Sequence, residues 1–147
     1  MKSSYGKLAI TLGISFVIML LLTYSMIRTW DHFYLNLSNI YMALMMVAPM
    51  GILMIFIMWS MFKNKRLNII LTAALAVVFA VIFAFGRAET FIGNEQFLKS
   101  MIPHHSRAIL MCQEADITDA EIKDLCQQIV SSQQEEIAQM KAILDRY

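Results

Sequence analysis

The stretch LNIILTAALAVVFAVIFAFG, Leu67 to Gly86, runs for twenty residues without a charge. A helix of that length covers about 30 Å, the thickness of a bilayer's hydrocarbon core. Upstream the pattern recurs twice. No Asp, Glu, Lys or Arg occurs from Leu8 to Ile27 or from His32 to Phe62. The sequence therefore predicts an all-α protein whose first part, residues 1–90, is a three-span membrane domain with spans at about 8–27, 40–62 and 67–86. A hydrophobic content of 59% over 147 residues agrees with that division and is too high for an ordinary soluble domain. The first span is longer than the apolar region of a signal peptide, and no small-x-small site follows it before Arg28-Thr29-Trp30, so it reads as a retained anchor.

Orientation follows from the short flanks. Lys2, Lys7, Lys63, Lys65 and Arg66 fall on one side of three spans, against Arg28 and Arg87 on the other. The positive-inside rule places the first group in the cytoplasm and the C-terminal part outside, periplasmic or extracellular, as expected for a protein of a bacterial inner membrane. The loop Arg28 to Asn39 carries Trp30, His32, Phe33 and Tyr34, aromatic side chains suited to a membrane interface. The exterior part, residues 91–147, is rich in carboxylates: ten from Glu89 onward stand against six Lys and Arg from Arg87 onward. Such a surface suits a cation and argues against nucleic acid, which needs a basic stripe.

Helical spacing returns in the exterior part. Gly93-Asn94 reads as a break in which Gly ends one helix and Asn caps the next. From Asn94 to about Ala115 apolar residues fall at Phe97, Met101, Ala108, Cys112 and Ala115, with Pro103 set to kink the helix. Thr118-Asp119-Ala120-Glu121 is a capping-box pattern opening a second helix, whose buried face is expected at Ile122, Leu125, Cys126, Ile129, Ile137, Met140 and Leu144. Two such helices with a turn at Asp116-Ile117 predict an antiparallel hairpin. One hairpin buries little core, so it should pair with a second copy to complete a four-helix bundle, or dock on the spans. Cys112 and Cys126 are the only cysteines; they read as a disulfide, about one helical turn from ideal register, or as small buried hydrophobes.

The chemistry gathers on the first of these helices. Met101, His104 and His105 form an i, i+3, i+4 cluster, and Met111 and Cys112 lie two turns further on, where a second site or a partner chain would be needed. Thioether and imidazole together favour copper, Cu(I) in particular, over zinc, which more usually recruits cysteine or carboxylate. Methionine also fills cores, and paired histidines also make polar helix faces. In the second span Met42, Met46, Met50, Met54 and Met58 recur every four residues with His32 near the outer end. This is either a path that hands Cu(I) along the membrane or an adaptable packing stripe. Pro49 and Gly51 mark a kink there, the spans carry no charged residue for proton-coupled transport, and the third span offers no chemistry of its own.

The string Phe97-Leu98-Lys99-Ser100-Met101-Ile102-Pro103-His104-His105-Ser106-Arg107-Ala108-Ile109-Leu110-Met111, with Gln133-Gln134-Glu135-Glu136-Ile137-Ala138-Gln139-Met140, closely resembles the family known as domain of unknown function 305. That family is ferritin-like, helical and largely exported, and it includes copper-binding proteins linked to copper tolerance. The resemblance implies a metal-binding role for Met101, His104, His105, Met111 and Met140, with Cys112, His32, Met42, Met46 and Met50 as weaker candidates read from the residues alone. Members of the family with a full four-helix domain carry two hairpins where this chain has one, and the three-span half resembles the family's membrane-anchored branch.

The expectation is thus a membrane-anchored copper-binding protein that captures or buffers copper at the envelope, acts as a homodimer and serves a copper-handling partner protein. A structural module that dimerises without metal is the alternative. No general base, nucleophile or cofactor motif points to an enzyme.

Overall fold

The structure is a computed structural model that describes residues 2–147. Among the described residues it is all helical: α1 (Lys2–Leu22), a short 3-10 turn (Trp30–His32), α2 (Leu37–Ile57), α3 (Lys65–Arg87), α4 (Asn94–Glu114) and α5 (Ala120–Leu144). Ser4–Leu22, Leu37–Ile57 and Lys65–Arg87 are each long and apolar enough to cross a membrane.

Local chemistry moves the expected helix ends. The first helix stops at Leu22, where the Thr23 hydroxyl donates to the Leu20 carbonyl at 2.6 Å and the next residue, Tyr24, turns into a buried position. The second gives way after Ile57 to a turn in which the Phe62 N–H donates to the Met58 carbonyl at 3.2 Å. That turn swings Phe62 into a core with Leu8 and Ile55. The third starts at Lys65 because the Asn64 side chain accepts from the Leu67 N–H. Between α3 and α4 the break is not the expected pairing of Gly and Asn. Glu89 and Phe91 take positive φ angles of 46° and 64°, and Gly93 rather than Asn94 is the N-cap of α4. The capping box shifts by one position as well, for Asp119, not Thr118, accepts from the Ile122 N–H.

The chain forms two compact units, one made of the chain through Thr23 with Ser38–Thr90, the other of Tyr24–Leu37 with Phe91–Tyr147. In the first, a polar clamp accompanies the Leu8, Ile55 and Phe62 core. Asn68 is fully buried, donates to the Phe62 carbonyl at 2.9 Å and accepts from the Tyr5 hydroxyl at 2.8 Å. Gly51 lets α1 and α3 approach α2, since a Cβ there would meet Leu75 Cδ1 at 2.9 Å and Leu12 side-chain carbons at 3.2 Å. Met42 and Met46 are exposed on α2, and Met50 and Met54 are half-buried.

In the second unit α4 and α5 run in opposite senses. Asn94 bonds Tyr147, His105 meets Glu136, and Cys112 is joined to Cys126 as a disulfide with Cα atoms 5.3 Å apart. Leu98, Ile102, Ile109, Ile137 and Met140 form the core, with Met101, Val130 and Tyr34 packed against it. The buried face of α4 is thus one residue out of phase with expectation. Leu98 is buried and Phe97 exposed, and the buried set continues through Ile102, Pro103, His105, Ser106 and Ile109. On α5, Ile122 and Leu125 are exposed rather than buried, because only the disulfide end of α4 stands opposite them.

The segment Tyr24–Leu37 explains the shift in phase. It is not a simple interfacial loop but a strap that covers a second side of α4. Proline has no N–H, so Pro103 leaves the Lys99 carbonyl, four residues earlier, without its helical donor. Asn36, 1% exposed, supplies one from Nδ2 at 3.3 Å. Around it the Leu37 N–H donates to Gln96 Oε1 at 3.0 Å, and the Arg28 N–H donates to the buried Ser106 Oγ at 2.8 Å. Lys141 of α5 pairs with Asp31. Asn36→Ala is expected to lower stability by about 2 kcal/mol, the cost of stranding a buried carbonyl. In a Pro103→Ala background, where Lys99 regains a helical donor, the same change should cost measurably less; a denaturation double-mutant cycle reads the coupling.

Candidate functional site

Two i, i+4 pairs face each other across α4 and α5. Met101 and His105 lie one turn apart on α4, as Glu136 and Met140 do on α5. The register that sets His105 against Glu136 brings Met101 level with Met140, and both belong to the same packed cluster. His105 is buried at 8% exposure, with Nδ1 2.9 Å from the Met101 carbonyl and Nε2 2.6 Å from Glu136 Oε2. The Glu136 side chain is 51% exposed, so the group opens to water on that side. Backbone anchoring of one imidazole nitrogen is the arrangement that orients a ligand histidine, since it leaves Nε2 to face a metal. An ion bound there would take the place Glu136 now holds on Nε2, with Glu136 itself within reach as an oxygen donor.

The remaining sequence candidates are distributed differently. His104 is exposed, its ring centre 6.1 Å from that of His105 and turned by 72°. Met111 is 59% exposed and lines a separate groove with Met26, Arg107, Leu110 and Glu114. Cys112 is tied up in the disulfide, where its sulfur is no longer the thiolate that binds metal. His32 lies in the strap. It is buried, with Nδ1 2.9 Å from Ser106 Oγ and 3.2 Å from Thr29 Oγ1, and with Nε2 3.6 Å from Asp31. Met42, Met46 and Met50 belong to the other compact unit. Among the described residues no three His, Cys, Asp or Glu side chains converge as a metal cage, so any site at His105 leans on thioethers. Sequence reasoning missed Glu136 as a partner; its i, i+4 spacing from Met140 was the available signal. Ser106, which anchors the strap, carried no signal.

The strap's own electrostatics are pH-dependent. Burial pushes the His32 pKa down, opposed by the charge of Asp31 and assisted by Lys141 and Arg28. Asp31 is held well below the carboxylate range by Lys141 first, and then by the Thr29 hydroxyl. A histidine with a depressed folded pKa binds protons more readily when unfolded, so its stabilisation is complete above the ordinary value near pH 6.5 and declines as pH falls through it. The Asp31 pKa is lowered as well, so its contribution is likewise lost in acid, below the ordinary carboxylate value of about 4. Lowering pH from about 7.5 to 5.5 should therefore loosen the strap, read as faster amide exchange at Arg28 and Leu37. In His32→Gln the exchange rates, corrected for intrinsic chemistry, should be nearly flat over that window.

Comparison with known proteins places relatives beside this geometry. Residues 87–144 match the family model described as domain of unknown function (DUF305). An uncharacterised protein of Acanthamoeba polyphaga mimivirus is 36% identical over 113 residues, covering 76% of this chain and 72% of that protein. That alignment is longer than the family match, so the similarity reaches beyond α4 and α5. No solved structure matches.

Proposed function

The chain belongs to the DUF305 family, and from that premise we propose that it is a membrane-anchored protein that captures copper at the cell envelope and holds it as Cu(I) for buffering or transfer. The single observation that carries this reading is the facing of Met101 and His105 with Glu136 and Met140, a largely buried group that opens to water through Glu136. Two thioethers and an imidazole are soft to intermediate donors and suit Cu(I); the carboxylate adds an oxygen that tolerates Cu(II) and would ease exchange between oxidation states. Zinc fits this set less well, because no thiolate is free. Copper is cargo in this reading and the role is binding, not catalysis.

The reading includes an orientation, with Lys2, Lys7 and the basic residues Lys63, Lys65 and Arg66 in the cytoplasm of a bacterial cell and the helix pair outside, where a copper-handling partner could reach it. It also includes a ferritin-like half-bundle completed by a second copy. Ile122 and Leu125, 49% and 53% exposed on α5, favour such pairing, as does the exposed Phe97 on α4. The same exposed residues support the second reading, a module that dimerises without metal.

One experiment separates the two. The full chain in detergent is titrated with Cu(I) against a competing chelator while light scattering reports its mass. Metal capture predicts that Met101→Leu with His105→Ala and Met140→Leu weakens binding by at least about tenfold, given that even outer partners of metal ligands carry that much. Met111→Leu should leave this affinity unchanged. Wild-type binding no stronger than that of the triple variant, with an unaltered dimer, would favour the metal-free module.

A further inference from the structure

The uncompensated cations of the first unit form a strongly charged feature that copper capture does not use. The chain has no carboxylate before Asp31 and none between Asp31 and Glu89, whereas Lys2, Lys7, Lys63, Lys65 and Arg66 all precede Glu89. Glu89 is the sole carboxylate of this unit, and it lies just beyond the far end of the 23-residue α3 that Lys65 begins. A helix of that length is about 35 Å long, several times the Debye length of about 8 Å at physiological ionic strength, so Glu89 cannot neutralise the cluster.

The fold draws Lys7, Lys63, Lys65 and Arg66 to one end. The Tyr5 ring lies 5.1 Å from the Phe62 ring, and its hydroxyl donates to Asn68 Oδ1 at 2.8 Å and to the Asn64 carbonyl at 3.3 Å. This fixes the first turns of α1 beside the link between α2 and α3. In the angle between them Ser4, Tyr5, Met61 and Lys63 line an open cavity of about 350 Å³. Its wall offers the Ser4 hydroxyl and the Lys63 ammonium for an anion and the Met61 thioether for an apolar neighbour. One to two turns away, Ile10, Ile57 and Ile69 are 64%, 80% and 62% exposed. A ligand for this place therefore needs an anionic head and an apolar tail in one molecule.

We propose that this end of the first unit is a binding site for an anionic phospholipid, its phosphate held by Lys63 with Lys65 and Arg66 and its acyl chains lying along Ile57 and Ile69. A free anion would engage the cations without the isoleucines, and a zwitterionic lipid would cover the isoleucines with no net charge to offset the cations. Clustered Lys and Arg beside a membrane helix gain about fivefold in affinity for anionic lipid per cation.

The test uses the full chain in a nonionic detergent, examined by native mass spectrometry with phosphatidylglycerol, phosphatidylcholine or inorganic phosphate added. Retention of phosphatidylglycerol well above phosphatidylcholine is expected, together with roughly a hundredfold weakening in the Lys63→Gln, Lys65→Gln, Arg66→Gln variant. A Lys123→Gln, Arg146→Gln variant, altered only on the other unit, should bind as wild type does. If the triple glutamine variant loses helix content, Lys63→Arg, Lys65→Arg, Arg66→Lys serves instead and should retain the lipid. Equal retention of phosphatidylcholine, full displacement by inorganic phosphate, wild-type binding by a folded glutamine variant, or loss of lipid in the folded charge-conserving variant would each overturn the proposal.

Discussion

The antiparallel register of α4 against α5 is the constraint on which the candidate site depends. It is pinned by the Cys112–Cys126 disulfide near the turn and by the His105–Glu136 contact further along. Slipping either helix by one residue would turn its facing side chains by about 100° and separate the methionines from the histidine. A crosslink closing a loop of this size removes about 3 kcal/mol of unfolded-state entropy, which matters for a helix pair whose hydrophobic core has five buried residues. Within that register Met101, His105, Glu136 and Met140 meet without any one of them being unusual for a helix.

The second support is the strap, and its logic begins with a defect. Pro103 strands a carbonyl inside α4, and a helix in isolation would have to hydrate it or kink. Here Asn36 occupies it, while Ser106, three residues after the proline, gathers the Arg28 N–H and His32. The strap reaches α5 as well, through Asp31 and Lys141. Because residues 24–37 connect α1 to α2 directly, the neighbours of His105 and Met140 along the chain, Ser106 and Lys141, are held by the segment that joins two membrane-length helices.

Much of this was legible in the sequence because it depends on local pattern. Charge-free runs define three membrane-length helices, and the Asp119 cap with its neighbours marks the start of α5 within a residue. The phase of α4 was not legible. Its apolar positions permit a face through Phe97 and Met101 or one through Leu98 and Ile102, and the choice is made by the strap, which lies more than sixty residues earlier. For the same reason His104 and His105, adjacent in sequence and equivalent in composition, separate into one exposed and one buried ring. Glu136 was hidden beside the chemically identical Glu135 in a polar run with Gln133 and Gln134. The loop aromatics are a similar case: Tyr34 packs on the helix-pair core, a use that interfacial composition alone does not suggest.

X-ray absorption at the copper edge of the Cu(I)-loaded full chain tests the central claim most directly. Copper capture at this site requires a coordination shell containing thioether sulfur and imidazole nitrogen together, with the sulfur contribution reduced in Met140→Leu and the imidazole contribution lost in His105→Ala. A shell of oxygen and nitrogen only, or one unchanged by both substitutions, would contradict it.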